Sequence, residues 1–363
     1  MMIRSSLFAA SLIVAPFAFA QEQRVFRDWV ATCDNTRHCS LIGLSLVDSE
    51  RWIHLRFERS GEPSAGIGTM HIEFGEPLVD AGEWSLWSGE NRLFVVAEGE
   101  RRCGEPYPDD LCDAILIADE GRKKQILREL RRSDALTLVV DDEVMAGVSL
   151  DGASAALLWM DDRQGRVGSE TALVHPGDRP TSALAQPPAP PEVRVRPGVW
   201  LALAEERVRT IAEEILRGIA PDRCDRRQPP DPEEVGSYAV QSDAVWQDGE
   251  GRMLTSVSCY GGAYNFSSIW FIRFGSGSWQ EVDFPRPVRG ATETGGELIN
   301  AGFDPASGLL ESFNKGRGYG DCGTNAVWGW DGERFVLVEW RAMAECRGVG
   351  PEHWPVLYRT ARP

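Results

Sequence analysis

Positive charge is scarce in this 363-residue chain: 38 lysines and arginines stand against 55 aspartates and glutamates, for a formal charge of −17. Such a surface repels phosphate backbones and anionic headgroups, so no nucleic-acid partner is expected. Long apolar runs are missing after the first 20 residues, so no stable membrane insertion is expected either. Histidine is rare. His38, His54, His71, His175 and His353 form no H-x-x-x-H or HExxH pair, which removes the usual zinc-hydrolase signature. His54 and His71 sit in strand-like runs and read as hydrogen-bonded structural residues. The chain has no G-x-S-x-G elbow, no C-x-x-C redox motif and no cysteine pair at zinc spacing. No catalytic residue, metal or cofactor is therefore expected.

What is present points outward from the cytosol. MMIRSSLFAASLIVAPFAFA carries Arg4, an apolar stretch from Leu7 to Phe19 and the small-x-small ending Ala18-Phe19-Ala20. That pattern predicts a signal peptide over 1–20, cleaved after Ala20, and a periplasmic mature protein. Eight cysteines follow: Cys33, Cys39, Cys103, Cys112, Cys224, Cys259, Cys322 and Cys346. An even number in an exported chain implies disulfides. Restricting bonds to each half of the chain leaves several connectivities, of which the sequential one is expected: 33–39, 103–112, 224–259 and 322–346. In DWVATCDNTRHCS (28–40) the enclosed Asp34-Asn35-Thr36-Arg37-His38 is rich in turn formers, as a short staple requires.

Residues 176–197, PGDRPTSALAQPPAPPEVRVRP, hold seven prolines in 22 positions and read as an extended spacer. The expected fold class is α+β, mainly β, with a β-rich N-terminal domain over 21–175 and an α+β C-terminal domain over 198–363. Strand-like runs lie at 53–59, 70–74, 91–98, 114–118 and 135–140. GRKKQILRELRRS and ASAALLWMDDR are helix candidates, the first ringed by Arg122, Lys123, Lys124, Arg128, Arg131 and Arg132 as a solvated face. Asp161-Asp162 with Arg163 and Arg166 reads as the capped end of the second. The second half opens with VWLALAEERVRTIAEEILRGIAPD. Leu201, Ala204, Val208, Ile211, Ala212, Ile215 and Ile219 share one helical face there, with Gly218 and Pro221 at its end. VWQDGEGRML, IWFIRFGSGSWQEV and AVWGWDGERFVL read as three hairpins of a meander.

Three strings carry a resemblance: FRDWVATCDNTRHCSLIG, SLDGASAALLWMDDRQGRVG (149–168) and KGRGYGDCGTNAVWGWDGERFVLVEW (315–340). With them the chain resembles the bacterial domain of unknown function 1176 family. The first half is also loosely similar to the invasion-associated protein B family, through its Trp-x-x-x-Cys opening and leucine-aspartate-glycine turn. The resemblance implies an exported envelope protein of Gram-negative bacteria with unassigned activity.

Two features could contact a ligand. KGRGYGDCG (315–323) combines Lys315, Arg317 and Tyr319 with four glycines able to take positive φ or let a ligand approach the backbone. Trp328 and Trp330 alternate on one strand and could offer stacked indoles to a sugar. A non-catalytic envelope protein that binds protein or glycan is the leading expectation. The alternatives are a cell-wall or glycan hydrolase using scattered acids, and an inhibitor of a lytic enzyme that presents loop 315–323.

Overall fold

The computed structural model describes residues 22–47, 51–220, 223–224, 243–287 and 296–361; the expected leader and Pro221 lie outside the described residues. The chain is mainly β. In the first half the strands are β1 (Glu22–Phe26), β2 (Trp29–Cys33), β3 (Cys39–Gly43), β4 (Ile53–Arg59), β5 (Thr69–Val79), β6 (Trp84–Ser88), β7 (Asn91–Val95), β8 (Arg101–Cys103), β9 (Leu111–Ile117), β10 (Ala135–Val140) and β11 (Glu143–Ser149). They build a seven-stranded antiparallel sheet in the order β1-β2-β3-β4-β5-β9-β8 and a four-stranded one in the order β11-β10-β6-β7. Helices α1 (Glu120–Glu129) and α2 (Ala153–Arg163) complete this half.

Period-two alternation explains the layering. Ile53, Leu55 and Phe57 of β4 enter the core with Leu136 and Leu138 of β10, Ile126 and Leu127 of α1, and Leu157 and Met160 of α2. Asp119 caps α1 by accepting from the Arg122 amide at 2.8 Å. Of the basic face expected on α1, Lys123 is buried, and its Nζ donates to Gly68 O and Glu120. Before α2, Gly152 takes φ +98°, and a Cβ there would lie 1.8 Å from the Phe26 carbonyl oxygen. Gly152→Ala should therefore lower unfolding free energy by about 2 kcal/mol in a urea titration.

The second half holds β12 (Leu201–Ala202), β13 (Ala244–Gln247), β14 (Met253–Gly261), β15 (Phe266–Arg273), β16 (Gln280–Glu281), β17 (Glu297–Ile299), β18 (Ala301–Asp304), β19 (Leu309–Lys315), β20 (Gly323–Trp330), β21 (Phe335–Met343), β22 (Val356–Arg359) and helix α3 (Glu205–Gly218). One sheet runs β12 to β16 in order, with β17 beside β15; another runs β18 to β22. The three expected hairpins form, but the first two lie in the former sheet and the third in the latter. They are not one meander. The expected helix also starts later than its periodicity suggested. Leu201 pairs with Gln247 as a strand and is exposed, whereas Val208, Ile211, Ala212 and Ile215 are buried as expected. Hydrogen-bonding to β13 wins over a helical pattern that simply continues into 199–204.

The four disulfides join Cys33 to Cys39, Cys103 to Cys112, Cys224 to Cys259 and Cys322 to Cys346, in sequential order. The first two clip directly facing residues of neighbouring strands. Loop-closure entropy assigns each about 2 to 4 kcal/mol, the longer loops gaining most.

Residues 29–160 hold one large core, while two others lie among residues 200–340. A fourth joins the halves: Val30, Ile42 and Leu44 pack against Met343, Val349 and Trp354. Polar contacts line the same seam. Asn35 exchanges two 2.9 Å hydrogen bonds with the Arg359 backbone, and His353 Nδ1 lies 3.2 Å from Glu73. The proline-rich segment holds a short 3-10 helix at Thr181–Ala183 and is attached at both ends: Gly177 N donates to Ser169 O and Arg179 N to Gly168 O. Arg196 N donates to Trp330 O, and Pro191 O accepts from Ala361 N.

Two expectations are corrected inside the first half. His54 is buried, but neither ring nitrogen has a hydrogen-bond partner. Asp161 does not cap α2. It is fully buried, accepts from the Leu173 and Val174 amides and faces Arg59 at 3.3 Å.

Candidate functional site

The sheet β18–β22 exposes one face to a groove of about 480 Å³. Pairing of Ser312 with Ala326 and of Asn314 with Thr324 puts these alternate residues, and Trp328, on that face. Trp340 stands opposite Ala326 on β21 and brings a second indole. Trp328 Nε1 donates to Pro285 O at 2.8 Å, and its ring meets Trp340 edge-on with centroids 6.3 Å apart. The floor is thus aromatic and fixed in orientation. Ser312 donates its proton to Ile299 O, whereas the Thr324 hydroxyl has no hydrogen-bond partner among the described residues.

Two guanidiniums reach the rim. Arg223 makes a bidentate pair with Glu281 at 2.8 and 2.9 Å, and that hydrogen bonding holds the Glu281 carboxyl below its ordinary range. Arg286 donates to Glu297 O at 3.0 Å. Glu297 is the one carboxylate among the described lining residues.

Trp330, expected beside Trp328 as a sugar platform, is corrected by its surroundings. It is 2% exposed, packs on Trp200 and Phe335, and does not line the groove. Trp328 is itself only 1% exposed, so it acts as a floor and not as a projecting ring. Trp340, which the pattern of the sequence did not single out, replaces Trp330 as the second indole.

The glycine loop adjoins the open end of the groove. Asn265 Nδ2 donates to Lys315 O at 2.8 Å and to Asn314 Oδ1 at 3.3 Å, tying the turn before β15 to the end of β19. Arg317 is held by Asp321 through a 2.7 Å hydrogen bond and a second, shorter one. Burial works to raise the Asp321 pKa, but the bonds from Arg317 and the Gly348 amide keep it below the ordinary carboxylate range. Among the loop glycines, Gly320 and Gly323 have positive φ while Gly316 and Gly318 do not. Gly316 is needed for closeness instead: a Cβ there would come within 2.6 Å of Cys322 Sγ. Tyr319 is 79% exposed at the tip. The loop is a fixed, disulfide-tethered projection.

Comparison with known proteins covers nearly the whole chain. The family described as "Protein of unknown function (DUF1176)" matches residues 23–361. The chain belongs to the DUF1176 family. It is also 31% identical over 368 residues to the uncharacterized protein YpfG of Escherichia coli (strain K12), covering 98% of this chain and 96% of that protein. No solved structure matches. Among the described residues, no helix of this DUF1176 protein is long and apolar enough to cross a membrane.

Proposed function

We propose that this DUF1176 protein is a non-catalytic periplasmic binding protein whose groove takes an envelope glycan. One observation carries the reading: a two-indole floor is flanked by amide and hydroxyl groups, with a single carboxylate among the described lining residues. Aromatic faces suit the C–H surface of a sugar, and polar groups at the edges suit its hydroxyls. Hydrolysis by the common two-carboxylate route needs a facing pair of acids. Among the described lining residues Glu297 supplies one.

Four disulfides support export, since paired thiols stay oxidised outside the cytosol. We infer cleavage after Ala20 and two domains, 21–175 and 198–363, joined by 176–197. The separation of the large core from the two later ones favours that division. In this reading Trp328 floors the groove, whereas Lys315, Arg317 and Tyr319 lie on the neighbouring loop outside its lining.

Calorimetric titration of the purified mature protein with soluble peptidoglycan fragments tests the groove. The wild type should bind, and Arg286→Ala combined with Thr324→Val should weaken binding about tenfold, because a rim donor and a wall hydroxyl are lost together. Absence of binding by the wild type, or unchanged affinity in the double variant, would remove the reading.

A further inference from the structure

Five aromatic residues are exposed among the described ones: Trp52, Tyr107, Tyr264, Phe274 and Tyr319. Three of the five converge on the glycine loop 315–323. Trp52 and Tyr319 lie edge to face with centroids 6.0 Å apart, although one belongs to the first half and the other to the glycine loop. Tyr264 approaches the same loop: a Cβ on Gly318 would stand 3.5 Å from its ring. Burying such rings is the usual outcome of folding, so an exposed cluster drawn from three distant segments calls for a reason.

The backbone is shaped to seat them. Gly348, at φ +82°, lies where a Cβ would come within 2.2 Å of the Trp52 ring, so only glycine lets that indole settle. Asp321 fixes the platform by accepting from the Gly348 amide while clamping Arg317, whose guanidinium sits 5.7 Å from the Trp52 centroid and 5.3 Å from that of Tyr319. The Cys322–Cys346 bond ties the two loops that carry these groups. A Trp52 ring seated in this way loses little rotamer entropy when a ligand arrives. Lys315 adds an ammonium with no ion-pair partner among the described residues; it lies 5.6 Å from the Phe313 ring centroid, and a Cβ on Gly320 would stand 3.7 Å from its Cδ, which places it beside the Tyr319 turn of the loop.

We propose that Trp52, Tyr264 and Tyr319, with Lys315, form a second glycan-contacting site that continues the groove past Asn314, so that the ligand is a polymer strand and not a single sugar or disaccharide. The inference rests on the glycan reading of the groove and extends it. Continuity comes from Asn265, which bonds to Asn314 in the groove wall and is the neighbour of Tyr264. Both parts then face one strand: the indole floor holds one stretch, and the outer rings stack on the sugars beyond it.

The test uses the mature protein and chitin oligosaccharides of increasing length, from disaccharide to octasaccharide, measured by calorimetry. Wild-type affinity should rise about tenfold with length, as the outer rings come into reach. Tyr264→Ser combined with Tyr319→Ser should abolish that rise and leave disaccharide binding unchanged; both side chains are exposed, so folding is retained. Lys315→Gln should lose part of the rise. A length dependence that persists in the double variant, or a wild type with none, overturns the second site. Disaccharide binding that survives either result keeps the groove reading intact. Octasaccharide binding that responds to the outer rings but not to Arg286→Ala with Thr324→Val would instead remove the groove and keep the outer site. Failure of every oligosaccharide to bind would remove both.

Discussion

Asp161→Ala is expected to destabilise the folded protein by about 4 kcal/mol. Asp161 and its partner Arg59 are both within 1% of complete burial, and Arg166 is fully buried beside them. Burial raises the Asp161 pKa, and burial together with the neighbouring Arg166 pulls the Arg59 guanidinium down to about 10. Both directions show how unfavourable charge is at this place. Deleting the carboxylate would leave two cations in the core with only carbonyl and hydroxyl acceptors, among them Thr171 O for Arg59 and Thr171 Oγ1 for Arg166. It would also strand the Leu173 and Val174 amides, which Asp161 accepts at 2.7 and 3.1 Å. Asp161→Asn should lose less, because its amide oxygen still accepts from those two groups. Urea-induced unfolding of the two variants measures both differences. Equal stability of Asp161→Ala and the wild type would show that Arg59 and Arg166 are satisfied without the carboxylate.

Acidification from pH 7 to pH 4 should remove about 3 kcal/mol of stability through His54 alone. Burial, aided by the neighbouring His353 and Arg347, lowers its pKa from the ordinary value to about 3. The folded protein therefore keeps the ring neutral while the unfolded chain protonates near 6.5. With more protons bound by the unfolded state, stability is present in full above that value and is lost as pH falls towards 3. His71, also lowered chiefly by burial, adds loss of the same sign. Asp28, Glu58 and Asp321, whose pKa values lie below the ordinary range, add losses that begin only as pH approaches their unfolded-state values, at the acid end of this window. His54→Met should flatten the stability profile between pH 6.5 and 4 except for the parts due to His71 and Asp161 and, near pH 4, to the carboxylates such as Glu58. Thermal unfolding across that window checks this, and an unaltered slope in the variant would contradict it.

Some of this was legible in the sequence and some could not be. The alternation in 53–59 and 135–140 matches β4 and β10 residue for residue, and the Asp151-Gly152 turn places α2 at its observed start. In each case local pattern and tertiary demand agree. They disagree at 199–204, where an apolar helical spacing is overridden by pairing with β13. Trp328 and Trp330 do share a strand face, but their burial depends on Phe284, Trp200 and Phe335, which come from elsewhere in the chain. Asp161 gave no hint of its role because Arg59 is more than a hundred residues away. The convergence of Trp52, Tyr264 and Tyr319 was hidden for the same reason. Gly318 and Gly348 were the only local traces of it, and each alone reads as a turn.

Amide and indole chemical shifts of the isotope-labelled mature protein, followed during titration with a chitin oligosaccharide, test the binding account most directly. Shifts concentrated at Ser312, Asn314 and Thr324 and at the indole N–H groups of Trp328 and Trp340 are the predicted result. Spectra that stay unchanged at saturating sugar, or change only far from β19 and β20, would contradict it.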